Sequence, residues 1–248
     1  MINLKKISTK PERAFSRRFA EKETARFKEE LFSLQNLLFA GQKYSLLIIM
    51  QGMDASGKDG TIRHVFTSMN PMGVNIKAFK NPNEEEKNHD FLWRVHPHAP
   101  AKGMISVFNR SQYEDILVPT VHRTLEKKLI EGRYEQINDF EKMLVASDTI
   151  ILKFFLHISK EEQKKRIKER QQIPHKKWKY DKSDSLESKY WDEYTSVYEN
   201  IIKRCSHDLP WIIVPADNKW YRNYVIAREV RNTLVKLKMK YPLGNASA

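Results

Sequence analysis

Gly52-Met53-Asp54-Ala55-Ser56-Gly57-Lys58-Asp59 has the spacing of a phosphate-binding loop: Gly, four residues, then Gly-Lys. The apolar run Leu46-Leu47-Ile48-Ile49-Met50 precedes it and the helix-patterned Thr61-Ile62-Arg63-His64-Val65-Phe66 follows, the strand, loop and helix context the motif needs. Backbone N–H groups from Gly52 to Gly60, Ala55 and Ser56 included, would converge on phosphate oxygens, aided by the positive end of the helix dipole. Lys58 would reach the outer phosphates. Most such loops place Ser or Thr after the lysine to ligate Mg²⁺, but here the residue is Asp59, a harder and more charged ligand. Asp54, inside the loop, would repel phosphate unless a cation lies between them. Two carboxylates in one loop therefore imply a site dense in Mg²⁺; either could also serve as a helix N-terminal charge.

A second polar cluster, Asn109-Arg110-Ser111-Gln112-Tyr113-Glu114-Asp115, follows the strand-like Met104–Phe108. Ligands of open α/β sheets sit at the carboxyl ends of strands, so this cluster should face the loop. Arg110 suits a charge clamp on a transferring phosphoryl group. Glu114 and Asp115 suit a metal or an acceptor, or the cap of the next helix. Further on, Arg166 and Arg170 are four apart and share a helix face, with Lys164, Lys165 and Lys168 close by. That face reads as a phosphate-contacting lid, continued by Lys176-Lys177-Trp178-Lys179, where Trp178 could stack on a base. His89, His96 and His98 lack cysteines and helical pairing, and are not read as a zinc site. Asp90, Trp93 and Arg94 in the same segment read instead as an acceptor pocket.

These residues need a scaffold, and 248 residues with 40% hydrophobic content suffice for one. Strand-like runs at Ser45–Gln51, Val74–Phe79, Met104–Phe108, Thr149–Ile158 and Trp211–Pro215 alternate with helical segments at Tyr113–Ile130, Tyr134–Ser147, Lys160–Gln171, Leu186–Arg204 and Tyr221–Lys240. Such alternation predicts an α/β fold with a five-stranded parallel sheet and helices on both faces. Phe27, Leu31, Leu34 and Leu38 predict an earlier helix stopping at Gly41, after a basic, unpatterned residues 1–18. The expected plan is a single domain over 1–248, with an N-terminal helical extension of about 1–41 and a lid module of about 160–199.

The balance of 44 basic against 31 acidic residues, +13 overall, calls for an anionic partner: nucleic acid, a membrane surface or a phosphate-rich substrate. The single Cys205 excludes an intramolecular disulfide and points to a reducing compartment. With neither a membrane-length apolar stretch nor a signal-peptide segment, a cytoplasmic protein is expected.

Together these residues resemble the polyphosphate kinase 2 family over about Phe15 to Pro242. The family's altered phosphate loop is matched by Gly52–Gly60, its second motif by Phe108–Asp115 and its lid by Lys164–Lys179. Lys80-Asn81-Pro82, His89–Arg94 and Pro215–Trp220 are also similar. The resemblance implies a P-loop kinase-like three-layer fold and Mg²⁺-dependent transfer of phosphate from inorganic polyphosphate to nucleotides. It implies catalytic roles for Asp54, Lys58, Arg110, Arg166 and Arg170, with further phosphate contacts from Lys80, Lys165 and Lys177. Asp90, Trp93, Arg94, Asn109, Glu114 and Trp178 become the nucleotide set, and Asp54, Asp59 and Glu114 the Mg²⁺ set. Many members carry Asp at the position of Asn109 and Asn-Arg at Glu114-Asp115. The pattern here is similar to the class that accepts both AMP and ADP, with guanine nucleotides as further candidates. Polyphosphate and nucleotides are the expected partners, without nucleic acid or membrane, in a homo-oligomer. Two rivals stay open on residues alone: a nucleoside monophosphate kinase using ATP, and a polyanion-binding protein without catalysis.

Overall fold

A computed structural model describes residues 2–174, 177 and 186–242. Five strands, β1 (Ser45–Gln51), β2 (Val74–Ala78), β3 (Ile105–Asn109), β4 (Thr149–His157) and β5 (Trp211–Pro215), form one sheet in the order β2-β3-β1-β4-β5, and every pair is parallel. β1 is central, with Ile48 beside Val107 of β3 and Leu152 of β4. The chain crosses from one side of β1 to the other between β3 and β4, and the crevice of such a sheet opens at that switch point.

The described α-helices include α1 (Arg17–Gly41), α2 (Lys58–Phe66), α3 (Glu84–Lys87), α4 (Glu114–His122), α5 (Lys127–Ala146), α6 (Lys160–Gln172), α7 (Trp191–Arg204) and α8 (Lys219–Lys236). Every residue of β1 is buried, and its side chains alternate between two cores as the period of a strand requires. Leu46, Ile48 and Met50 pack with Leu31 of α1, Val65 of α2 and Val230 of α8. Leu47 and Ile49 pack with Ile116 of α4, Ile137 of α5 and Ile201 of α7. Three layers result, matching the sequence expectation. No described helix is long and apolar enough to cross a membrane.

One boundary differs. The expected continuous helix Tyr113–Ile130 is two helices, because Arg123 takes a left-handed conformation at φ 54° and ends α4. The expected break near Gly132 is absent; α5 runs through it, and a Cβ at that glycine would meet nothing within 4 Å. The N-terminal segment is also more than an unpatterned tail. Leu4 is buried, its N–H donates to Glu199 Oε1 at 2.7 Å, and the Thr9 hydroxyl donates to Asp217 Oδ2 at 2.8 Å.

Candidate active site

The loops after β1, β3, β4 and β5 meet at one end of the sheet around a cleft of about 1320 Å³. The first is the phosphate loop. Gly52 and Gly57 have φ of 146° and 103°, conformations that side chains rarely adopt, and a Cβ on Gly52 would lie 2.7 Å from the Leu156 carbonyl. The loop feeds directly into α2, whose first residue is Lys58. Lys58 Nζ donates to Gly52 O at 2.7 Å and to Met53 O at 3.3 Å, so the ammonium arches over its own loop. Burial lowers its pKa and nearby Arg110 adds to the effect, against the opposing pull of Asp54, Glu114 and Asp59.

Arg110, at φ 63°, turns the chain off β3 and donates from Nη2 to Asp54 Oδ1 at 2.8 Å. Burial works against ionising Asp54, but Lys58 and Arg110 outweigh it and hold its carboxyl below the ordinary range. Burial likewise opposes the charge of Arg110, and the carboxylates of Glu114 and Asp54 outweigh that, keeping its pKa raised. Glu114, at the first turn of α4, is pushed up by burial against the pull of Arg110 and Lys58. With its amide nitrogen turned toward that carboxylate, Gln51 donates to Glu114 Oε1 at 2.9 Å. Asn109 Nδ2 donates to Asp59 Oδ1 at 2.6 Å, tying the end of β3 to the start of α2. Asp54, Lys58, Asp59, Asn109, Arg110 and Glu114 therefore share one cleft, and Lys80 and Arg170 lie on its wall.

Arg166 also lines the cleft, but its donors are already engaged. Arg166 is 7% exposed, and its guanidinium faces inward. Nη1 donates to the carbonyls of Ala55 and Ser56, Nη2 to those of Ala216 and Asp217, and Nε to Glu162. A guanidinium has five N–H donors, and here all five are engaged within the protein. Arg166 is thus a clasp between the phosphate loop and the β5 loop, a role its expected place on a lid did not include. Lys165 is exposed beside Glu162 at 3.8 Å and lines a neighbouring cavity rather than the cleft. Lys177 is exposed, and Trp178 lies outside the described residues.

Of the expected acceptor residues, none of Asp90, Trp93 and Arg94 lines the cleft. Arg94 is buried, donating to Lys80 O at 2.7 Å and to Asp115 Oδ2 at 2.9 Å. Asp90 caps its own turn by accepting from the N–H groups of Leu92 and Trp93. Trp93 stacks on His89 with ring centroids 4.1 Å apart. His122, Glu187 and Tyr194 line the cleft instead. Glu187 Oε2 lies 3.0 Å from His122 Nε2 and accepts from the Tyr194 hydroxyl at 2.6 Å. Arg222 of α8 lines it too. No local pattern singles these residues out.

The described residues contain no group of three or more His, Cys, Asp or Glu side chains able to hold a metal, so Asp54, Asp59 and Glu114 do not form a protein cage. The donor set nonetheless suits Mg²⁺, which takes one or two carboxylates and completes its shell with substrate phosphates and water. Asp54 and Asp59 are the carboxylates of the loop itself.

Comparison with known proteins places this geometry. The family profile described as Polyphosphate kinase 2 matches residues 14–242. An AMP/ADP-polyphosphate phosphotransferase of Meiothermus ruber is 45% identical over 213 residues, covering 86% of this chain and 80% of the relative. An ADP-polyphosphate phosphotransferase of Rhodopseudomonas palustris is 42% identical, covering 86% of this chain and 78% of the relative. The crystal structure of polyphosphate kinase 2 from Arthrobacter aurescens TC1 superposes with a TM-score of 0.96 at 38% identity, covering 100% of this chain and 90% of that one.

Proposed function

The chain belongs to the polyphosphate kinase 2 family, and on that premise we propose that it transfers the terminal phosphate of inorganic polyphosphate to AMP and ADP, giving ADP and ATP. The observation that carries the reading is the Asp54–Arg110 pair, 2.8 Å apart within the same cleft as Lys58. A carboxylate inside a phosphate loop is unfavourable for a site that binds phosphate with backbone and lysine alone. It becomes useful where Mg²⁺ accompanies a long polyanion. Asp54 and Asp59 would hold Mg²⁺, which would neutralise phosphate charge.

Lys58 exchanges its bonds to Gly52 and Met53 for oxygens of the transferring group. Arg110 keeps Asp54 oriented and presents its remaining donors to the same group, and Arg170 adds charge from the cleft wall. The terminal phosphate oxygen of the nucleotide attacks the terminal phosphorus of polyphosphate in line, and the chain shortened by one phosphate leaves. The attacking oxygen is already anionic at neutral pH, so positioning and electrostatic stabilisation supply most of the rate and no strong base is required. The excess of basic residues serves the polyanion. A cytoplasmic, homo-oligomeric enzyme fits the reading. Asp54→Ala tests it: the variant should lose phosphoryl transfer while still binding polyphosphate, and full activity in it would reject the assignment.

A further inference from the structure

Arg222 lies on α8 directly behind the phosphate loop and is 3% exposed. Its guanidinium donates to Ser56 O at 3.0 Å and to Asn223 Oδ1 at 3.3 Å, while its Nε has no partner. The approach is close: a Cβ on Gly57 would lie 2.0 Å from Nη1, and one on Gly60 would lie 3.7 Å from Nη2. Gly57 is therefore required twice, by its φ of 103° and by the guanidinium that backs it.

Three other arginines of the fold face carboxylates. Arg94 pairs with Asp115 at 2.9 Å, Arg110 with Asp54 at 2.8 Å and Arg166 with Glu162 at 2.8 Å. Among the described residues no carboxylate compensates Arg222. Burial, with Arg166 beside it, pulls its pKa down to about 9, and it stays protonated at neutral pH. A buried cation without an anion is costly, and this one is retained at the floor of a cleft built for anions.

We propose that Arg222 is a positioning cation of the phosphate loop, holding Ser56 and Gly57 from behind while its uncompensated charge awaits the phosphate chain bound above. The inference rests on the functional reading of the cleft. It predicts that the unliganded protein tolerates loss of this charge better than the liganded protein does. Ser56 O keeps its 2.9 Å bond from Arg166, so the loop carbonyl is not orphaned when Arg222 is replaced.

The test is calorimetric titration of the whole protein with tripolyphosphate, beside its thermal midpoint, for wild type, Arg222→Gln, Arg222→Met and Arg222→Lys. The neutral variants should melt no lower than wild type, yet bind tripolyphosphate roughly tenfold or more weakly, as loss of a buried charge partner does. Their KM for polyphosphate should rise more than kcat falls, and Arg222→Lys should recover most of the affinity. The methionine variant covers the case in which glutamine does not pack. A lower midpoint with unchanged tripolyphosphate affinity would make Arg222 a purely structural residue and overturn the proposal. Absence of tripolyphosphate binding by wild type would instead overturn the functional reading, and this inference with it.

Discussion

Arg166→Ala should cost the protein far more stability than its neighbour on the same helix. The guanidinium donates to four backbone carbonyls and to Glu162, with contacts of 2.8–3.1 Å. Ser56 O retains a bond from Arg222, but the carbonyls of Ala55, Ala216 and Asp217 lose this donor, and Glu162 loses its closest cation. Hydrogen bonds from charged groups contribute about 1.5–3 kcal/mol each, though not additively, and breaking a buried pair costs about 3–5 kcal/mol. We take about 3–5 kcal/mol for the variant. At roughly 2–4 °C per kcal/mol for a chain of this size, the thermal midpoint should fall by roughly 6–20 °C. Arg170→Ala, on the cleft wall, should shift it by no more than about 2–4 °C, the effect of about 1 kcal/mol. Calorimetry on both variants, with polyphosphate kinetics on the same samples, separates the roles. An Arg166→Ala protein that melts like wild type but has a greatly raised KM for polyphosphate would refute the clasp and restore Arg166 to a lid.

Two further outcomes follow from the electrostatics. Asp54 has a folded pKa below its unfolded value of about 4, so the unfolded chain takes up the proton first as pH falls. Its stabilisation is full above about pH 4 and is lost as pH falls through the folded value. The urea-midpoint difference between wild type and Asp54→Asn should shrink from pH 6 toward pH 3; a difference independent of pH would contradict the Arg110 pairing. Glu114, raised by burial, runs the other way, its contribution declining as pH rises through its folded value. Away from the cleft, Lys153 donates to Glu141 at 2.7 Å, Cys205 O at 2.6 Å and Tyr113 Oη at 3.2 Å, and is 1% exposed. Lys153→Met leaves Glu141 buried without its ammonium and should destabilise by about 3–5 kcal/mol in urea unfolding, with little change at most if the pair is dispensable.

Most strands were legible because they are short apolar runs carrying their own signal, and the phosphate loop because its glycines and lysine act through neighbours in the chain. Arg110 and Glu114 could be placed too, since strand ends in a parallel sheet converge. Arg166 could not. Its charge pattern matches a solvated or ligand-facing helix surface, and its burial arises only because α6 docks against loops about 110 and 50 residues away in sequence. Arg94 misleads for the same reason, as its partner Asp115 lies 21 residues on. Arg222 is one of several polar residues on its helix, and nothing local reveals that Gly57 rests against it. The break after α4 was hidden because Ile116, Leu117, Val121 and Ile130 suggest one continuous face, whereas the left-handed Arg123 is a backbone property that arginine does not announce.

The most direct measurement is chromatography of nucleotides after incubating the protein with Mg²⁺, long-chain polyphosphate and AMP as the only nucleotide. ADP should appear first and ATP after it, because both acceptors use the same donor and cleft. ATP formed only when ADP is supplied would remove AMP as an acceptor, and no product from either nucleotide would contradict polyphosphate-dependent transfer itself.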